Sequence, residues 1–220
     1  SKDSGYSLGL VNTALNNLID NGFLTADCSL TEKADELLSK SSPKRAVILA
    51  AGAGMRMVPI NTEVPKALLQ IKGETLIERQ IKQLKSVGIT DITVVVGFLK
   101  EKFEYLIDLC GVNLVYNSEY YQKNNLHSLS LVKTSLENCY IIPCDLWCGE
   151  NPFSKYELYP WYAVTDRMTV SSSVRINRKG QLVKVPLSQP GNSMLGICYL
   201  DGELGKTVSE KLKLMSHNIS

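Results

Sequence analysis

Short apolar runs alternate with helical patterns through the middle of the chain. Four runs predict strands that are buried on both faces, as in a parallel sheet: 45–51, 91–97, 112–116 and 139–142. Three segments between them predict helices: 75–88, which opens with a Thr-x-x-Glu capping box, 101–109 and 126–136. Strands and helices that alternate at this spacing predict an α/β fold with a doubly wound, mostly parallel sheet.

The pattern becomes looser after the fourth predicted strand. The segments 164–176 and 181–185 predict antiparallel strands that are joined by a turn at 177–180. Residues 194–200 predict one more strand, and residues 203–215 predict a final helix. A small antiparallel extension is therefore expected beside the parallel sheet.

The start of the chain differs from the rest in charge. Residues 1–43 carry three Lys or Arg and six Asp or Glu, a net charge of −3, whereas residues 44–220 carry 21 and 16, a net charge of +5. The polar stretch 41–43, which closes with a proline, is typical of a linker. We therefore predict a small acidic appendage with its linker at 1–43 and a main domain at 44–220.

Within the appendage, apolar residues at helical spacing over 11–19 predict a helix. The pairs 23–24 and 29–30 predict a short hairpin, and Thr31 is suited to cap a second helix. Helix, hairpin and helix in this order resemble the second half of a winged helix-turn-helix domain. The first helix, from Ser7 to Asp20, contains no Lys or Arg. This argues against nucleic acid as a partner, because phosphate neutralisation dominates DNA affinity.

The overall composition is that of an ordinary globular protein, with 24 Lys or Arg against 22 Asp or Glu and a net charge of +2. The chain has no apolar run of about 18 residues and does not open with a signal-peptide pattern, so no membrane partner is expected. The six cysteines stand mostly in apolar runs, which is typical of buried thiols in a reducing cytoplasm. The spacing of Cys144 and Cys148, with no second pair, does not predict a zinc site.

The first predicted strand runs into a loop that combines small residues with two cations. The segment 49–69 is Leu-Ala-Ala-Gly-Ala-Gly-Met-Arg-Met-Val-Pro-Ile-Asn-Thr-Glu-Val-Pro-Lys-Ala-Leu-Leu. Its small residues at 50–54 let the backbone approach a ligand closely, and successive N–H groups there would bind an anion. Arg56 and Lys66 add two positive charges. The loop has neither a Walker A nor a three-glycine dinucleotide pattern, and the alternative is a glycine-rich turn with surface cations.

This string resembles the opening motif of the nucleotidyltransferase family, which includes the sugar-1-phosphate nucleotidyltransferases. The family pattern is Leu-Ala-Ala-Gly-x-Gly-x-Arg-(Leu/Met)-x-Pro-x-Thr-x-x-x-Pro-Lys-x-Leu, and the chain departs from it at Asn61, next to Thr62. Within the family, the chain is most similar to bacterial CTP:phosphocholine cytidylyltransferases over three further stretches: 97–103, 115–120 and 123–132. The resemblance implies a Rossmann-like nucleotidyltransferase fold for residues 44–220. The family's domain runs further than Ser220, so either this chain is truncated or its metal site is incomplete.

The resemblance also implies the reaction. An acceptor phosphate oxygen attacks the α-phosphorus of a nucleoside triphosphate, and pyrophosphate is released. The expected substrates are CTP and phosphocholine as the small phosphorylated acceptor. The alternatives are a sugar-1-phosphate nucleotidyltransferase and a DNA-binding regulator that senses a nucleotide. Arg56 would neutralise the departing pyrophosphate, and Lys66 would stabilise the attacked α-phosphate. The expected nucleotide-binding residues are Leu49, Ala50, Ala51, Gly52, Ala53, Gly54, Asn124, Asn125 and Ser128. Alternatively, the two asparagines cap the next helix.

Asp145 follows the fourth predicted strand, where the family places an aspartate that binds Mg²⁺. The cation typically takes one or two carboxylates and completes its shell with phosphates and water. The alternative for Asp145 is a loop carboxylate that caps a turn. The family's second aspartate has no assigned counterpart here, because Asp201 comes too early in the pattern. Aromatic side chains suited to a choline ammonium, or alternatively to core and sheet packing, are Trp147, Tyr159, Trp161 and Tyr162.

Overall fold

The computed structural model describes residues 5–40, 42–52, 63–134, 136–186 and 188–216. The chain divides into two compact units. The first comprises Ser1–Ser42 and Tyr156–Leu158, and the second comprises Pro43–Lys155 and Tyr159–Ser220. The main division therefore falls beside the proline at which the sequence predicts the end of the linker.

The first unit contains two helices, α1 (Leu8–Asp20) and α2 (Glu32–Lys40). Leu24 and Leu30 form an antiparallel bridge between them, so that the chain reverses where the hairpin is predicted. The Thr31 hydroxyl accepts a hydrogen bond from the N–H of Ala34 at 3.3 Å, which caps α2. Helix, reversal and helix thus follow in the predicted order, and the winged-helix assignment of this unit stays a prediction.

The second unit carries the sheet and the remaining helices. In chain order its strands are β1 (Arg45–Ala50), β2 (Gln70–Ile71), β3 (Glu74–Thr75), β4 (Asp91–Val96), β5 (Asn113–Tyr116), β6 (Cys139–Pro143), β7 (Trp161–Thr169), β8 (Val174–Ile176), β9 (Leu182–Lys184) and β10 (Gly191–Leu200). Its α-helices are α3 (Leu76–Ser86), α4 (Tyr105–Cys110), α5 (Asn125–Ser130) and α6 (Gly202–Ser216). Short 3₁₀ helices cover Lys66–Leu68 and Lys100–Phe103.

Six strands form the central sheet in the order β5-β4-β1-β6-β10-β7. The first four are mutually parallel, β10 is antiparallel to β6, and β7 is antiparallel to β10. Each of the pairs β2-β3 and β8-β9 forms a separate two-stranded sheet. This arrangement confirms the predicted doubly wound, mostly parallel sheet with a small antiparallel part.

Apolar side chains cover both faces of the sheet, because successive residues of a strand point to opposite sides. On one face Ile48 and Val94 belong to a buried cluster with Ile77 and Leu84 of α3. On the other face Val47, Val95 and Ile141 cluster with Leu212 of α6. The strands are therefore buried on both faces, which is why they appear in the sequence as continuous apolar runs.

The predicted strand 164–176 and the predicted helices 101–109 and 126–136 differ in extent from the observed elements, and the helix at 101–109 is a 3₁₀ helix followed by α4. The single strand predicted at 164–176 is two strands, since β7 ends at Thr169 and β8 begins at Val174. The chain turns between these two strands and packs closely against Gly191. A Cβ at Gly191 would lie 2.3 Å from the Val174 carbonyl oxygen. The helix predicted at 126–136 ends at Ser130, because the next bonds, such as Val132 N–H to the Leu129 carbonyl at 3.2 Å, join residues three apart.

Candidate active site

The ends of three parallel strands bring separate parts of the chain to one edge of the sheet. The last residues of β1 lie beside the last residues of β4 and β6. On one side the N–H of Phe98 donates to the carbonyl oxygen of Ala51 at 3.1 Å. On the other side the N–H of Cys144 donates to the carbonyl oxygen of Leu49 at 3.2 Å. The predicted nucleotide loop therefore leaves the sheet between the segments that follow β4 and β6, where ligands of parallel sheets bind.

Gly97 lies at the closest approach between the ends of β4 and β1. A Cβ at this position would lie 2.5 Å from the carbonyl oxygen of Ala51 and 2.6 Å from the Cβ of Tyr120. Neither neighbour can turn aside, because one atom belongs to the backbone and the other is the first atom of its side chain. Glycine therefore permits the chain after β4 to lie against the start of the predicted nucleotide loop.

We expect the substitution Gly97→Ala to lower the free energy of unfolding by about 1–3 kcal/mol, the usual cost of an extra carbon in packed structure. Unfolding in urea measures this change. Gly149→Ala is the control, because its Cβ would meet the Trp147 ring at an ordinary distance of 3.4 Å. The control should stay within about 0.5 kcal/mol of the parent. If the two variants unfolded at the same urea concentration, the close approach at Gly97 would not matter for stability.

Lys66 and Asp145 meet at this edge although they are 79 positions apart in the chain. Lys66 begins a 3₁₀ helix, and the buried Pro65 and Ala67 on either side of it anchor that turn. Its Nζ lies 3.2 Å from Oδ2 of Asp145, and the two side chains are 26% and 45% exposed. The structure thus brings together two of the predicted site residues as an ion pair that is open to a charged ligand. Arg56, Ala53 and Gly54 lie outside the described residues.

The other predicted nucleotide-binding residues have different surroundings. Leu49 is half-buried, Ala50 and Ala51 are buried, and Gly52 is exposed at the start of the loop. Their contact with a nucleotide stays a prediction.

The predicted pair of asparagines lies at the start of α5. Asn124 is the N-cap of this helix, and its Oδ1 accepts from the N–H of Leu126 at 3.0 Å. Asn125 is exposed in the first turn. Capping, the alternative considered for this pair, is therefore what the Asn124 side chain does here. A role in recognising the base stays a prediction.

Asn117 is a residue near the site that the sequence analysis missed. It is completely buried, and its Nδ2 donates to the hydroxyl of Ser128 at 2.9 Å. Its Oδ1 accepts from the N–H of Glu119 at 2.9 Å. The bond to Ser128, itself buried, holds the start of α5 against the end of β5. The sequence signal that could have identified Asn117 is its position as a polar residue directly after an apolar run, at the ligand-binding edge of the sheet.

Asp145, the residue predicted to hold a cation, presents its carboxylate at this edge beside Lys66. No group of three or more His, Cys, Asp or Glu side chains converges on a metal position within the described residues. Asp201 lies at the opposite end of the sheet, because β10 runs against β6, and its carboxylate accepts from the N–H of Leu204 at 2.7 Å to cap α6. One exposed carboxylate still fits Mg²⁺, which substrate phosphates and water can ligate further.

The thiol beside Asp145 is not an available nucleophile. Burial raises the pKa of Cys144 to about 12, and the neighbouring Asp145 carboxylate acts in the same direction. The thiolate is therefore scarce at neutral pH.

Of the four aromatic candidates for an ammonium pocket, Trp147 lies in the loop that follows Asp145. Its ring already faces two cations, Lys72 Nζ at 4.9 Å and the Arg79 guanidinium at 4.5 Å from the ring centroid. Trp161 pairs with Tyr199 at the opposite end of the sheet and packs against the buried aromatic core. Trp161 therefore packs in the core, which is the alternative considered for these aromatic residues.

The sequence and the structure of this chain were compared with those of known proteins. The MobA-like NTP transferase domain family matches residues 46–152. A choline-phosphate cytidylyltransferase from Haemophilus influenzae is 34% identical over 159 residues, which cover 70% of this chain and 67% of that protein. The chain belongs to the nucleotidyltransferase family. The likeness of this nucleotidyltransferase to the bacterial cytidylyltransferases, expected from its motifs, is thereby confirmed.

A second relative, the choline-phosphate cytidylyltransferase from Streptococcus pneumoniae, is 49% identical over 109 residues, which cover 50% of this chain and 48% of that protein. The chain thus spans about half to two thirds of the length of these two relatives. A solved structure of CTP:phosphocholine cytidylyltransferase from Streptococcus pneumoniae superposes with a TM-score of 0.68 at 32% identity, covering 78% of this chain and 76% of that one. None of the helices in the described ranges is long and apolar enough to cross a membrane.

Proposed function

We propose that this chain acts as a cytidylyltransferase that moves CMP from CTP to phosphocholine and releases pyrophosphate. The observation that carries the proposal is the open Lys66–Asp145 ion pair at the edge where β1, β4 and β6 end. The chain is also similar to two bacterial choline-phosphate cytidylyltransferases. A cytoplasmic location is part of the proposal, because most of the six cysteines stand in apolar runs, as is typical of thiols in a reducing compartment.

The reaction needs positioned charge rather than a protein nucleophile. An oxygen of phosphocholine forms a bond to the α-phosphorus of CTP, the bond from that phosphorus to the β-phosphate oxygen breaks, and pyrophosphate leaves with the electron pair. The ammonium of Lys66 would bind the α-phosphate oxygens, whose negative charge grows during attack. Backbone N–H groups of the loop after β1 would hold the triphosphate, and Arg56 would neutralise the departing pyrophosphate.

Asp145 would hold a Mg²⁺ ion against the triphosphate. When bound there, the cation would neutralise charge on the phosphate oxygens as a Lewis acid. The chain's own contribution is to keep this carboxylate at the edge of the sheet, within reach of Lys66. Loss of activity on removal of Mg²⁺ with a chelator would support this part of the proposal.

A panel of substrates tests the function directly. Pyrophosphate release is measured with CTP, UTP, ATP and GTP, each combined with phosphocholine or glucose 1-phosphate. We expect CTP with phosphocholine to exceed every other combination in kcat/KM by about a hundredfold, as for a site that recognises polar groups on both substrates. Faster turnover of glucose 1-phosphate would instead identify a sugar-1-phosphate nucleotidyltransferase. Absence of pyrophosphate release with every pair would contradict both functions.

A further inference from the structure

Helix α3 holds the loop that carries Asp145 through a buried amide. Gln80 is 3% exposed, and its Nε2 donates to the carbonyl oxygens of Pro143 and Leu146, both at 3.0 Å. These two carbonyls stand on either side of Cys144 and Asp145 in the chain. One side-chain amide thus fixes the backbone before and after the candidate metal-binding residue.

The chemistry of this contact requires a donor with two hydrogens. Both partners of Gln80 are carbonyl oxygens, which only accept, so the amide nitrogen must face them. The Oε1 of Gln80 is buried and has no hydrogen-bond partner within the described residues. A buried acceptor without a partner is unfavourable. The orientation of the amide is therefore determined by its two bonds to the loop.

On its other side the same loop is tied to the sheet. The N–H of Cys144 donates to the carbonyl oxygen of Leu49 at 3.2 Å. Hydrogen bonds from Gln80 and to β1 therefore restrain the backbone on both sides of Asp145. The Asp145 carboxylate lies 3.2 Å from Lys66 Nζ.

We propose that Gln80 is a positioning residue of the transferase, one that sets the Asp145 carboxylate for the metal ion and the triphosphate. This inference rests on the proposed function, since it assigns a task to Asp145 in that reaction. Residues that orient a metal ligand typically contribute about 10- to 100-fold in metal affinity or activity. Gln80 itself touches neither substrate nor metal in this scheme.

Gln83, one turn further along α3, provides a matched comparison. Its Nε2 donates to the carbonyl oxygens of Cys148 and Glu150 at 3.1 and 3.2 Å. Its Oε1 is likewise buried without a partner within the described residues. Gln83 therefore makes the same kind of contact to the same loop, several residues beyond Asp145.

The experiment compares Gln80→Met with Gln83→Met in the full chain. Methionine is close to glutamine in volume and cannot donate to the carbonyls. The binding of Mn²⁺ to the protein is measured from the free-ion resonance signal in the presence of α,β-methylene-CTP, which cannot transfer CMP, after subtraction of the Mn²⁺ that the analogue binds alone. We expect Gln80→Met to weaken Mn²⁺ binding by about tenfold or more, Gln83→Met by less than about threefold, and Asp145→Asn to abolish it. The kcat with CTP should fall in Gln80→Met, with the KM for CTP within about twofold of the parent.

Thermal unfolding is recorded for each variant. If Gln80→Met does not fold, Gln80→Asn takes its place, because its shorter side chain keeps the amide but cannot reach both carbonyls. Equal Mn²⁺ affinity in the folded Gln80 variant and the parent would overturn the positioning role while the transferase remains. A parent protein that neither binds Mn²⁺ with the analogue nor releases pyrophosphate would overturn the proposed function and this inference together.

Discussion

Replacing Lys66 by methionine is expected to lower kcat for CMP transfer by about 100- to 1,000-fold, the usual effect of removing one group that stabilises transition-state charge. The reason is that, in the proposed mechanism, the ammonium would act on the α-phosphate as its negative charge increases during attack. The KM for CTP should change much less, because in the proposed mechanism the loop after β1 would hold the other phosphates. Steady-state rates of pyrophosphate release at saturating phosphocholine measure the effect.

Stability separates this result from a folding defect. The Lys66–Asp145 pair is partly exposed, and such pairs contribute at most about 1 kcal/mol to the free energy of unfolding. The Lys66→Met variant should therefore unfold close to the parent. Lys82→Met, at an exposed position of α3, is the control for loss of one positive charge and should keep the parental rate. A Lys66→Met enzyme with the parental kcat would remove Lys66 from the mechanism.

Asp145→Asn is expected to reduce the rate by about 1,000-fold at any Mg²⁺ concentration, because a neutral amide binds the cation far less well than a carboxylate does. Added Mn²⁺ should not restore the rate. The measurement is pyrophosphate release over a titration of the metal ion, and Glu150→Gln, in the same loop and exposed, serves as the control. A variant that needed only more Mg²⁺ to reach the parental rate would show that Asp145 supports the ion without ligating it.

The parallel part of the fold was predictable because it is buried on both faces. Such strands are continuous apolar runs, and the observed bounds of β1 and β5 lie within one residue of the predicted ones. The hairpin formed by β2 and β3 was missed, because its two-residue strands are too short to show alternation. Its turn at Lys72 and Gly73, both at positive φ, is marked in the sequence only by the glycine.

The site was predictable where a motif spans it and unpredictable where tertiary contacts build it. Lys66 and Asp145 were identified from the family pattern, and the structure brings them together. Gln80 has no such signal, because in the sequence it is one polar residue of an amphipathic helix. Its contacts lie 63 and 66 positions away, and only the packing of α3 beneath the loop reveals them.

Because β10 runs antiparallel to β6, the sheet has a parallel part and an antiparallel part. The two parts should differ in how many amino-acid substitutions they tolerate. Only Cys198–Leu200 of this strand pair with β6, so its earlier residues project past Pro143 as a ribbon with β7. Met194 and Leu195 are exposed on that ribbon. Mutations can reshape it while the parallel strands and the pair that they hold stay intact.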